Sequence, residues 1–533
     1  MVKGERRMAK GILLLSLLAV AVSATAKPAY RGPIVRTDAN GVEKTVFLHG
    51  DAWDHYMTDE QGTLLDEKTL LPANGEGRTA NGMRKAPKRA KKIGNEPNPA
   101  PRGLLIMVNF TDQAFTTPRD TIDSMLNAEH FTRKYTIPLG GRFTYTVKSE
   151  GSARKYFQDQ SYGQYNPVFD VMGPFTLAHD VAYYGDNGDA NVGEMIKEAC
   201  ELANQNGADF TLYDNNDDGD VDFVYVLYAG YGAADGGPDE TVWPHNYNLT
   251  YYGIHCRVDG KWIGNYACSN EISGVTNQYD GIGTICHEFS HVLGLPDLYE
   301  TNNPRNGNHT LMEWDVLDYG CYSNYGNTPS AYSAYERFYM GWLTPRVLNE
   351  PEYVNLHPLQ EGEALLISTN ANNTHNLDGA NPNPADFYLL ENRPKTGWDA
   401  YLPGKGMLIT KVSYFARDWL YNQVNNDSTL FGVDIIEAKR NTGELGAATD
   451  AYPAGANQWT DYADHEVTNI LLDKKGIIHF SYRGAEAPGT EDVETVTGEG
   501  LQVTGQKILR NGQIYILRNG KTYTILGYEN HQL

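Results

Sequence analysis

Cysteine is scarce in this chain, with five in 533 residues at Cys200, Cys256, Cys268, Cys286 and Cys321. An odd number excludes complete pairing within the chain, so at least one thiol is unpaired or intermolecular. None precedes Cys200, so no N-terminal thiol is available as a ligand. Long apolar runs are also missing at the N-terminus, where Gly11 to Val22 is too short to span a bilayer comfortably. Basic residues are outnumbered: Lys plus Arg is 44 against Asp plus Glu at 67, a net charge of -23. That balance argues against nucleic acid or an anionic membrane as partner. It suits an exported soluble protein, although solubility alone also explains an acidic surface. With Tyr at 36 and Gly at 54, the composition favours a β-rich, loop-rich fold.

The most informative stretch is Gly281 to Glu300, GIGTICHEFSHVLGLPDLYE. His287, Glu288 and His291 form an H-E-x-x-H unit. On a helix, positions four apart share a face, so both imidazoles can point at one metal ion. Glu288 projects beside that face, where it can accept a proton from a water on the metal. Gly294 permits the turn that ends the helix, and Asp297 follows as a third ligand. Three protein ligands leave a position open, which marks a catalytic zinc site. A bare H-E-x-x-H arises by chance on amphipathic helices, but chance rarely adds the Gly and the carboxylate. Cys286 reads as a small buried residue, because its neighbour already claims the metal-facing direction.

The extended pattern H-E-x-x-H-x-x-G-x-x-D resembles the metzincins, with Asp where most have a third His. The run HEFSHVLGLPDLYE is similar to the immune inhibitor A family of secreted bacterial metallopeptidases. GLLIMVNFTD near 103–112, SARKYFQDQS at Ser152–Ser161 and PSAYSAYERFYMGWL at Pro329–Leu343 carry the same resemblance. It covers roughly Lys27 to Arg483, and it implies a secreted zinc endopeptidase acting on protein or peptide substrates. It also implies an apolar Met-turn beneath the metal; here that position is Leu317, nearly isosteric with Met. Tyr319 matches a Tyr that some metzincins place at the metal, which implies a role for it on the oxyanion. Lys411 stands where the family commonly has a His.

The fold expected is α+β: a metzincin-like catalytic domain over 102–348, with a mixed twisted sheet and the zinc helix, then a β-sandwich-like domain over 349–483. Lys3, Arg6, Arg7 and Lys10, the apolar run and Ala24-Thr25-Ala26 read as a signal peptide over 1–26, cut after Ala26. The alternative is a retained lipid-facing anchor. Secretion or display at the cell surface follows, with no stable membrane insertion after cleavage. Residues 27–101 read as a small β unit and a basic linker around Arg84–Lys92, hence a propeptide with a protease-sensitive junction. A merely solvated linker is the alternative.

Asp214, Asn216, Asp218, Asp220 and Asp222 alternate around Gly219 with the spacing of calcium loops. The Glu expected at the twelfth position is missing, which excludes an EF-hand. A calcium-stabilised loop remains, against a plain solvated acidic turn. Residues 484–533 read as a linker and a β-hairpin tail, because Asn511-Gly512 precedes an alternating run. The tail is loosely similar to C-terminal sorting modules of type IX secretion, implying outer-surface secretion machinery as a partner. Two rivals stand beside the peptidase reading. One is zinc hydrolysis of a non-peptide bond; the other is a secreted adhesin or glycan-binding protein with a vestigial metallopeptidase domain. Intact Glu288 and a full ligand set argue against the latter.

Overall fold

A strand that is apolar at every position needs cover on both faces. Leu104 to Val108 is such a run, and it lies inside a six-stranded sheet in the computed structural model of the chain. The structure describes residues 25–73, 78–79, 100–487, 505–510, 513–518 and 521–524. Short breaks fall at 39, 53, 68, 139–142, 239, 303–307, 369–374 and 441–445. The leader expected over 1–26 lies outside the described residues except for Thr25 and Ala26. The basic cluster Arg84–Lys92 lies outside them entirely.

The sheet contains β1 (Thr25–Ala26), β2 (Arg102–Asn109), β3 (Val168–Thr176), β4 (Val224–Tyr231), β5 (His245–Asn248) and β6 (Asn265–Ile272), in the order β1-β5-β6-β4-β2-β3. β3, β2, β4 and β6 are parallel neighbours. β5 joins β6 antiparallel, and β1 joins β5 antiparallel. Side chains alternate between faces along each strand. Leu104, Ile106, Val108, Val224, Val226 and Tyr228 share one core with Met195, Ile196 and Ala199. The latter three form one side of a helix, Val192–Gln205. Leu105, Met107, Tyr225 and Leu227 face the other way, into a core with Tyr156, Phe157, Ile285 and Phe289. Tyr156 and Phe157 belong to a helix over Ala153–Gln160. Ser152 caps it, its hydroxyl accepting from the Lys155 N–H at 3.1 Å.

Before β2, strands Ile34–Thr37, Glu43–Gly50, Asp54–Thr58, Leu64–Leu65 and Arg78–Thr79 make a small sheet. After the metal-site region, five strands from Arg346–Val347 to Val433–Ile435 form one sheet; Glu352–Leu356, Ile478–Tyr482 and Val467–Leu472 form another. Leu365, Ile367, Leu390 and Ile409 of the first share a core with Val354, Leu356, Ile478 and Phe480 of the second. All of this, through Ala485, is one compact unit, and Glu486–Leu533 is a second. The second contains an antiparallel three-stranded sheet, Gly505–Arg510, Gln513–Arg518 and Lys521–Thr524. The chain is thus α+β, with several sheets and few helices. No helix among the described residues is long and apolar enough to cross a membrane. All five cysteines are buried and free, so the structure contains no disulfide between them.

Candidate metal centre

The helix α1 (Gly283–Val292) follows β6 and is buried along its whole length. Phe289 sets how it is turned. Its ring meets Phe223, Phe157 and Phe169 with centroids 4.6, 4.8 and 5.3 Å away. With Phe289 in the core against the sheet, positions 287 and 291 occupy another face, one turn apart. Gly294 then ends the helix in a left-handed turn at φ +89°. Its N–H donates to His291 O at 2.9 Å, and the Leu295 N–H donates to Ser290 O at 3.1 Å. This reversal carries Asp297 back to the two imidazoles.

Each imidazole uses Nδ1 on a backbone carbonyl: His287 on Val316 O at 2.8 Å and His291 on Leu295 O at 2.9 Å. A carbonyl only accepts, so each Nδ1 carries the proton and each Nε2 presents a lone pair in the neutral ring. Both Nε2 atoms lie 3.3 Å from Asp297 Oδ1. All three atoms are buried without a hydrogen-bond partner. Three buried acceptors facing one another are unfavourable unless a cation lies among them. The spacing suits one: a tetrahedral site with ligand bonds of about 2.0–2.1 Å has ligand-to-ligand edges of about 3.3 Å. Among the described residues this is the group of His, Cys, Asp or Glu whose ligand atoms converge, within 4.8 Å of one another.

Asp297 is held from both ends by Asn422. The Asn422 carbonyl accepts from Asp297 N at 2.7 Å, and its amide donates to Asp297 Oδ2 at 2.7 Å. Burial alone would raise the Asp297 pKa. The imidazoles of His291 and His287 override this and hold it well below the usual carboxylate range. Leu317, at the expected Met-turn, is buried in the core that also contains Phe289 and Cys286. The preceding residue supplies the carbonyl on His287.

Glu288 is fully buried beside these ligands. Burial lifts its pKa to about 7, with His287 and His291 pulling down and Asp297 pushing up. Glu288 Oε1 accepts the Lys27 backbone N–H at 3.1 Å, while Oε2 has no partner. The Ala26–Lys27 amide therefore lies against Glu288. The Tyr299 hydroxyl donates to the Ala26 carbonyl on the same amide. The next two carbonyls are gripped as well: Lys27 O by Trp243 Nε1 at 3.1 Å and Pro28 O by the Tyr322 hydroxyl at 2.7 Å. Just before them, Thr25 and Ala26 extend the sheet by pairing with Asn246 and His245. A peptide is thus laid along the edge of β5 and across Glu288.

The expected residues divide into three groups. His287, Glu288, His291 and Asp297 come together. Tyr319 lies to one side, its ring 4.4 Å from that of His309 and beneath the Arg31 guanidinium at 4.8 Å. The acidic loop lies elsewhere and is internally bonded. Asp214 accepts from Asp218 N at 3.1 Å, Gly219 N at 2.9 Å and Lys261 Nζ at 2.6 Å. Asn216 and Asp218 accept from the amides of Asp218 and Asp220, each at 3.0 Å. Asp222 accepts from the Asn215 amide at 2.6 Å. Burial raises Asp214, and Lys261 and the loop amides outweigh it. Three residues at the site carry no sequence signal of their own: Asn422, Tyr299 and Lys27. Only Tyr299, two places beyond Asp297, was near enough to the motif to be suspected.

Two imidazoles and a carboxylate converge on one point, with a second carboxylate alongside, a set that could hold a metal ion. Residues 91–343 match the immune inhibitor A peptidase M6 catalytic domain. The matched stretch, just under half of the chain, is similar to a metallopeptidase catalytic domain. The chain is 26% identical over 301 residues to the pre-pro-metalloprotease PrtV of Vibrio cholerae serotype O1, covering 49% of this chain and 32% of that protein. It is also 26% identical over 211 residues to immune inhibitor A of Bacillus thuringiensis subsp. alesti, covering 34% and 30%. The chain spans about a third of the length of these curated relatives.

Proposed function

We propose that the chain is a secreted zinc endopeptidase whose metal is held by His287 Nε2, His291 Nε2 and Asp297 Oδ1. The observation that carries this is the convergence of those three buried, unpartnered atoms beside Glu288. Zinc bound there would polarise a water and the scissile carbonyl. Glu288 takes a proton from that water as its oxygen bonds to the carbonyl carbon. It returns the proton to the departing nitrogen as the C–N bond breaks. Burial raises the Glu288 carboxyl above the ordinary carboxylate range, a bound cation would draw it back down, and a carboxyl between these influences can both take and return a proton. We assign the oxyanion hydrogen bond to Tyr299 in preference to Tyr319, because Tyr299 already donates to the carbonyl of the amide lying on Glu288. In fold terms this reading takes 102–348 as a metzincin-like domain and 349–483 as β-sandwich-like.

The test is Glu288→Ala with zinc content, melting temperature and peptide hydrolysis measured together. Bound zinc and a normal fold with turnover reduced on the order of a hundred- to ten-thousandfold is expected. Wild-type turnover in a folded, zinc-bound variant would remove the mechanism. Full zinc affinity in Asp297→Ala would remove Asp297 from the ligand set.

Residues 27 to about 101 are proposed as an inhibitory propeptide, released in the basic linker. Its support is the backbone of Lys27 and Pro28: the Lys27 N–H lies on Glu288, and the two carbonyls are held by Trp243 and Tyr322. Equal activity of full-length and linker-cleaved protein would exclude latency. Secretion rests on the leader reading and is tested by assaying culture supernatant against cells. The tail as a sorting module is tested in the same assay by deleting 484–533. Calcium at the 214–222 loop belongs to the same proposal; there it would compete with Lys261 for Asp214.

A further inference from the structure

Lys27 is a basic residue with only 1% of its surface exposed, a placement that demands compensation. Its ammonium donates to Thr284 Oγ1 at 2.9 Å and sits 4.8 Å above the ring of Tyr322. The Thr284 hydroxyl in turn donates to Asp280 Oδ2 at 3.1 Å. Asp235 is a second acid at this spot, 2% exposed, and its Oδ1 has no hydrogen-bond partner. Burial lifts Asp235 to about 6; the Lys27 charge pulls it down and Asp280 pushes it up. A hydroxyl and an aromatic face therefore hold the ammonium, with Asp280 bonded to that hydroxyl and Asp235 buried within reach of its charge.

This cage stands at a fixed place relative to the chemistry. The nitrogen of Lys27 is the one lying on Glu288, and the carbonyl of Ala26 is the one bonded by Tyr299. With the Ala26–Lys27 bond uncut, Lys27 thus stands where the residue following a scissile bond stands, on the leaving-amine side. Thr284 lies one turn before Glu288 on α1, so the cage and the general base share a rigid element.

We propose that the cage formed by Thr284, Asp280, Asp235 and Tyr322 is the pocket for the residue after the scissile bond, and that the enzyme cleaves on the amino side of lysine. The inference rests on the peptidase reading above. A neutral side chain in this pocket would leave Asp235 Oδ1 buried with neither a hydrogen bond nor the charge of an ammonium, and Asp280 with Arg133 alone. The N-terminal segment occupies the pocket with the side chain that the pocket selects.

Two measurements test it, one independent of catalysis. Peptides released from mixed protein substrates by the full chain, after its own maturation, are sequenced by mass spectrometry. Lysine is expected as the first residue after the cut at least tenfold above its abundance, falling to background in Asp235→Asn with Asp280→Asn. Wild-type cleavage without lysine enrichment overturns the proposal. If wild type and Glu288→Ala both release nothing, it is the peptidase reading that fails, and the second measurement decides the pocket. Lys27→Ala empties the cage in the full chain, and n-butylammonium, the lysine side chain alone, is titrated into it. Binding at least tenfold tighter than that of 1-butanol, and lost on adding Asp235→Asn, is expected. Equal binding of the two probes to a folded Lys27→Ala chain overturns the proposal. Lys27→Met serves as a filled-pocket control, because its apolar stem occupies the site without a charge.

Discussion

Asn422 closes a two-point ring on Asp297, accepting from its backbone N–H and donating to its carboxylate, both at 2.7 Å. The ring fixes which oxygen of Asp297 faces the imidazoles. Asn422 itself sits at φ +51°, a conformation that Gly adopts without strain. Asn422→Gly should therefore keep the backbone while releasing the carboxylate. Outer-shell losses of this kind lower metal affinity about 10–100-fold. Competition against a zinc chelator reads this directly, and unchanged affinity would show that Asp297 is oriented without Asn422.

Tyr299 and Tyr319 are separable. Tyr299→Phe should lower kcat on the order of a hundredfold or more with little change in KM, as expected for a donor whose bond strengthens in the transition state. Tyr319→Phe should leave kcat nearly unchanged, since its ring lies between His309 and Arg31. The reverse ranking in steady-state kinetics would return the oxyanion role to Tyr319.

Phe289 is a stability test that also reports on the site. Its ring is buried among Phe157, Phe169 and Phe223. Truncation to Ala should destabilise the chain by about 3–5 kcal/mol. Because Phe289 sets the rotation of α1, zinc affinity should fall with it. Phe289→Leu should recover much of both. Denaturant unfolding of the zinc-bound and chelated forms separates the two effects.

The acidic loop gives a thermal prediction. If calcium joins Asp214, Asn216, Asp218, Asp220 and Asp222, saturating calcium should raise the midpoint, and a calcium-selective chelator should lower it. Lys261→Met removes the competing ammonium at 2.6 Å from Asp214. That variant should show a larger calcium shift than wild type. No shift in either protein would leave Lys261 as the loop's own counter-ion.

The convergence of the candidate metal-site residues could be read in the sequence because they are local. His287, Glu288, His291 and Asp297 fall within eleven residues, and one helix with one glycine turn dictates their convergence. The continuous apolar run Leu104–Val108 likewise reads as a buried strand, since it has no polar face to turn outward, and it is covered on both faces. Asn422 and Lys27 were illegible for the converse reason. Asn422 meets Asp297 across 125 positions, and Lys27 meets Glu288 across 261. A single Asn in a loop, or a Lys beside a Pro, carries no periodic signal of such a meeting. Tyr319 attracted attention by its place in a pattern, yet the chain between Asp315 and Ser323 turns its ring toward His309.

The Ala26–Lys27 bond is also the bond at which the leader is expected to be cut. Ala26 and Lys27 are each 1% exposed in the folded chain. A leader peptidase needs an extended, reachable segment, and none remains there once β1 has joined the sheet. If a leader is cut at this bond, its removal has to run ahead of folding. A chain that folds first would keep the bond out of reach. The race between two rates would then decide which N-terminus the folded protein has.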